Sequence, residues 1–182
     1  MKKLMMMLMA AMMLTTANAQ ELTKQQAKNV KKEVAQKLKQ LKKGGYEIFG
    51  SSRTLETCLT KHYTALEVGG DDVTEKVGFS TAKSPNLAAA AAYNSAANSY
   101  ASQASQQVKG RVLSDMASDV ANHEAEFDKF YATFEGKVQK EIKGALKPSF
   151  SVKKSNDDGT ISVEAYYLVE EKTAATARRK AL

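Results

Sequence analysis

Ser149-Phe150-Ser151-Val152, then Asn156-Asp157-Asp158-Gly159, then Ile161-Ser162-Val163-Glu164-Ala165-Tyr166 is the stretch that decides the fold. Two runs rich in β-branched and aromatic residues flank a polar turn ending in glycine, which predicts a β-hairpin. Just upstream, Lys147-Pro148 marks the end of a helix reaching back to about residue 117. Its face carries Val120, Phe127, Tyr131, Phe134, Val138, Ile142 and Ala145, widened by Phe130. Downstream, Glu171 to Lys180 reads as a last short helix.

Working back towards the N-terminus, Ser84-Pro85 is a capping hydroxyl followed by a proline suited to the first helical position. The alanine-rich run from Leu87 to Gln107 follows, with Tyr93, Ala97, Tyr100, Ala104 and Val108 on one face. Alanine favours helix and lets a neighbour approach closely. A single helix from Pro85 to Leu146 would be roughly 90 Å long, so a break near Gly110 is expected, with residues 108–115 as a short strand. Val73, Glu75, Val77 and Phe79 alternate as a strand to about Ser80. Ser52 or Thr54 caps a helix to about Val68, with Leu55, Leu59, Tyr63 and Leu66 inward, and Tyr46–Phe49 forms another short strand. The sum is an α+β domain, a small antiparallel sheet with long helices packed on one face.

The first residues are of another kind. Met1-Lys2-Lys3 precedes an apolar run to Leu14, and Ala17-Asn18-Ala19 stands before Gln20. This is the pattern of a cleaved signal peptide over residues 1–19, too short for a membrane span. Removal leaves 163 residues (20–182) as one domain and lowers the net charge from +7 to +5. The expected location is periplasmic or secreted. Cys58 is the single cysteine, so no internal disulfide exists and no lipidation cysteine follows the cleavage point.

The positive charge is concentrated. Residues 21–43 hold eight lysines against Glu21 and Glu33, a net of +6, so the rest of the mature chain nets −1. Ala27, Val30, Val34, Leu38 and Leu41 form an apolar stripe on this helix, and Gly44-Gly45 ends it. Lys28, Lys31, Lys32 and Lys39 are the candidate contacts to an anionic surface, such as lipid headgroups or acidic cell-wall polymers. Export and the lack of aromatic residues among the lysines do not point to nucleic acid.

In the order of its parts the chain resembles the Lpp-twenty-like family of secreted bacterial envelope proteins and lipoproteins. The residues concerned are Tyr46-Glu47-Ile48-Phe49-Gly50 before a helix, then Lys76-Val77-Gly78-Phe79-Ser80 leading into the Leu87–Gln107 helix. The Val108–Leu113 stretch, the Phe127–Ile142 helix and the hairpin with Asp158-Gly159 complete it. The resemblance implies an α+β fold and an envelope location, and brings no catalytic residues. The missing acylated cysteine is a departure that bears on membrane anchoring.

Other constellations have plainer readings. Asp115, Asp119, His123 and Glu126 share a helical face at metal-compatible spacing, yet no His-x-x-x-His or Cys-x-x-Cys motif accompanies them. They read as a solvated face. Cys58 and His62 are four apart, as a thiolate–imidazole pair would be, but Cys58 lies beside the apolar face and reads as an inert buried thiol. Ser51-Ser52 does not stand in the full Gly-x-Ser-x-Gly of a nucleophile elbow, and Gly69-Gly70-Asp71-Asp72 lacks the lysine of a phosphate loop. Asn156–Gly159 is too short for a calcium loop. The expected function is therefore an exported non-enzymatic envelope protein, without metal or cofactor, that touches an envelope protein or surface. The alternative is a small-ligand module whose helix–sheet crevice is lined by Tyr46, Phe49, Tyr63 and Tyr93.

Overall fold

The computed structural model describes residues 22–115 and 123–182; the expected signal peptide at residues 1–19 lies outside them. Five α-helices and four strands run α1 (Lys24–Lys43), β1 (Glu47–Phe49), α2 (Leu55–Gly69), β2 (Val73–Ala82), α3 (Pro85–Asp115), α4 (Glu124–Lys143), β3 (Lys147–Ser155), β4 (Ile161–Glu170) and α5 (Glu171–Ala181) among the described residues. The strands form one antiparallel sheet in the order β1-β3-β4-β2. The protein is α+β, as its patterning implies.

Local chemistry sets the element ends. A capping box opens α1: Gln26 N–H donates to Thr23 Oγ1 at 3.2 Å, and Thr23 N–H donates to Gln26 Oε1 at 3.0 Å. Lys42 and Lys43 face the negative end of its dipole. Thr54 caps α2, and Ser84 Oγ accepts from Leu87 N–H at the start of α3. In the hairpin turn Gly159 takes φ 77°, and the Asp158 carboxylate accepts from Thr160 N–H and Oγ1–H at 3.0 and 2.6 Å. Those bonds hold the Asp158 carboxyl below its usual pKa.

Both faces of the sheet are covered. Val163, Ala165, Tyr167 and Val169 of β4 meet α3, α4 and α5, which form the expected layer of long helices. On the opposite face Tyr166, with Phe150 and Val152 of β3, meets Val30, Val34 and Leu41 of α1 and Cys58 and Leu59 of α2. The alternation of a strand thus feeds two separate apolar clusters. The closest approach is on the α3 side. A Cβ added to Gly78 would lie 1.8 Å from the Ala92 carbonyl oxygen, so glycine in β2 and alanine in α3 are both needed there.

Residues 108–115 are the correction. They are helical, and α3 runs unbroken to Asp115 as a 31-residue helix about 46 Å long. A glycine inside a helix costs only about 1 kcal/mol against alanine, and Gly110 is exposed, with open space around it. Val108 packs on the core, and Lys109 pairs with Asp128 of α4 at 3.0 Å. These contacts hold the segment to the helical layer. The second half of the expected 117–146 helix is α4, while residues 116–122 lie outside the described ones. Pro148 falls inside β3 and not at a helix end, next to a register irregularity between Pro148 and Phe150.

Candidate functional site

Helix α1 builds the most strongly charged surface. Val30, Val34 and Leu41 are buried, which fixes the rotation of the helix. At 100° per residue, Lys24, Lys28, Lys31, Lys32, Lys39, Lys42 and Lys43 then share an outward arc, and all seven are exposed. Lys37 is different: half-buried, its ammonium stands 5.1 Å from the Tyr166 ring centroid. None of the eight forms an ion pair among the described residues. Asn29 donates to Glu67 of α2 at 3.4 Å, a polar tie between the two helices. The candidate contacts Lys28, Lys31, Lys32 and Lys39 therefore lie on one solvent-facing ridge of α1.

The four aromatic candidates do not line one crevice. Tyr46 and Tyr63 pack in the α1–α2 cluster. Phe49 alternates to the other side of β1 from Ile48, and the Lys153 ammonium sits 5.9 Å from its ring centroid. Tyr93 belongs to α3 across the sheet, where its hydroxyl donates to the Lys143 carbonyl and its ring meets Tyr167 edge-on at 5.6 Å. Burial, with the carboxylates of Glu75 and Glu33 adding to it, pushes the Tyr63 phenol up to about 12. Tyr46 is also raised, by burial and then by Glu164.

His62 is a polar centre whose partners the sequence spacing did not reveal. Its ring nitrogens face Ser149 Oγ at 2.9 Å (Nδ1) and Glu75 Oε2 at 2.6 Å (Nε2), not Cys58. The pairing spans α2, β2 and β3. Ser149 is the extra residue at the β3 irregularity; such a bulge re-aims a side chain, here bringing Ser149 to the imidazole that Phe150 already touches edge-on at 5.3 Å. The His62 side chain has no solvent-exposed surface. Serine, histidine and carboxylate are thus joined, but the imidazole is enclosed by Tyr63, Phe150 and Tyr166. The arrangement satisfies a buried histidine and ties three elements together. Pro148 within a strand-like run was the one sequence signal that a bulge was near.

The remaining candidates separate. Cys58 is buried, with Sγ 3.8 Å from Ser51 Oγ. Ser51 and Ser52 lie exposed before the Thr54 cap. His123 and Glu126 are 3.5 Å apart and largely exposed at the start of α4, while Asp119 lies outside the described residues. Among the described residues no three His, Cys, Asp or Glu side chains gather as a metal site. No described helix is long and apolar enough to cross a membrane.

No family model matches the chain, and no curated protein matches it. Among solved structures, it is similar to the crystal structure of hypothetical protein FTT1539c from Francisella tularensis, at 14% identity and a TM-score of 0.35. The match covers 72% of this chain and 50% of that one, so the chain spans about half the length of that protein.

Proposed function

We propose that this is an exported, non-enzymatic envelope protein that docks on an anionic lipid surface through the lysine ridge of α1. The carrying observation is the ridge itself: seven exposed lysines on one arc of a helix anchored by Val30, Val34 and Leu41, without ion-pair partners among the described residues. Solvated lysines near an anionic surface gain about 1 kcal/mol each, and several acting together bind reversibly. The signal pattern of residues 1–19 and the order of elements shared with the Lpp-twenty-like envelope proteins support the location.

Co-sedimentation of residues 20–182 with vesicles tests it. Binding to phosphatidylglycerol-containing vesicles is expected at low salt, with loss at high salt and little binding to purely zwitterionic ones. The combined variant Lys28→Glu, Lys31→Glu, Lys32→Glu, Lys39→Glu should weaken it at least about a hundredfold. Equal binding by that variant would refute the proposal. A second reading, contact with an envelope protein, draws on Val77 and Phe79 of the edge strand β2, 38% and 53% exposed.

A further inference from the structure

A cleft far from the α1 ridge opens where β2, α3 and α5 meet. It encloses about 250 Å³, and Thr74, Lys76, Tyr100, Gln103, Glu171 and Arg178 line it. Even-numbered residues of β2 face α3, as Gly78 does, which brings Lys76 over the Tyr100 ring at 5.7 Å from its centroid. The ammonium donates to Gln103 Oε1 at 2.7 Å, and has no carboxylate partner among the described residues. Across the cleft the Arg178 guanidinium donates to the Tyr100 hydroxyl and to Glu171. A smaller adjoining hollow of about 130 Å³ shares Ala104, Gln107 and Arg178 and adds Arg111.

The charge count decides what the cleft suits. Two cations, Lys76 and Arg178, stand in the cleft against one carboxylate, Glu171, and Arg111 adds a third in the adjoining hollow. Glu171 is satisfied by Arg178, whereas Lys76 keeps two unused N–H donors and Arg178 three. Burial also holds the Lys76 ammonium below its ordinary pKa, as befits a cation lacking a counter-charge. The volume is below that of most drug-sized sites, so the occupant is small.

We infer that this cleft binds a small anionic molecule by its oxyanion group, phosphate or carboxylate, held between Lys76 and Arg178 with Thr74 and Gln103 as polar neighbours. This is a site separate from the α1 ridge. The test is a titration of residues 20–182, followed by amide NMR, with inorganic phosphate in one arm and succinate in the other. Saturable shifts at Thr74, Lys76 and Gln103 are expected in at least one arm, and the arm that saturates names the oxyanion. Lys76→Gln, which retains a polar side chain on Gln103, should weaken binding roughly tenfold or more. Arg178→Lys should weaken it as well, but Arg178 also holds Tyr100 and Glu171, so Lys76→Gln is the decisive variant. The four-lysine α1 variant should titrate like the wild type. The inference is overturned if neither probe gives saturable shifts, if Lys76→Gln titrates unchanged, or if the α1 variant abolishes the shifts.

Discussion

Gly78 is the residue on which the α3 side of the molecule closes. Gly78→Ala would drive a methyl into the Ala92 carbonyl, with the Ala96 nitrogen 3.0 Å away, and backbone cannot rotate aside. The expected cost is about 3 kcal/mol or more, read as a lower urea midpoint; an unchanged midpoint would refute the close contact. Tyr63 offers a titration. Its pKa is about 12 in the fold against about 10 in the unfolded chain. Between those values the unfolded form binds fewer protons, so the Tyr63 contribution is whole below pH 10 and is lost as pH rises towards 12. Tyr63→Phe should flatten that part of the alkaline decline, measured by denaturation against pH. At this scale sequence reading reached only local partners. Cys58 and His62 are neighbours by helical spacing, but the actual partners of His62 stand 13 and 87 residues away, and a bulge places one of them.

At the scale of elements, caps and periodicity were enough for most of the fold. The hairpin, α1, α2, the start of α3 and α5 follow from Gly159, Thr54, Ser84-Pro85 and the apolar stripes. Residues 108–115 were misread because Gly110 looks like a break when a helix of implausible length is the alternative; the helix passes through Gly110 and continues to Asp115. Gly110→Ala tests the corrected element. In a continuous helix with open space at that Cβ, alanine should stabilise by about 0.5–1 kcal/mol. A destabilised variant in thermal denaturation would bring the break back to residue 110. The crevice failed for a related reason. Which sheet face each aromatic meets depends on register, and Phe49 and Tyr93 end up away from Tyr46 and Tyr63.

For the whole molecule, helices pack on both faces of one sheet, and the positive charge is concentrated on α1. That ridge was legible because it needs only one helix and its apolar stripe; the cleft between β2, α3 and α5 was not, because three distant segments supply it. Ridge and cleft lie on opposite faces of the sheet, so the proposed docking through α1 would leave the cleft open to a small solute. Lysine acylation read by mass spectrometry, with and without anionic envelope membranes, tests the docking most directly. Lys28, Lys31, Lys32 and Lys39 should become protected at low salt while the exposed Lys129 and Lys140 of α4 react as before. Equal reactivity of the α1 and α4 lysines on membranes would contradict the account.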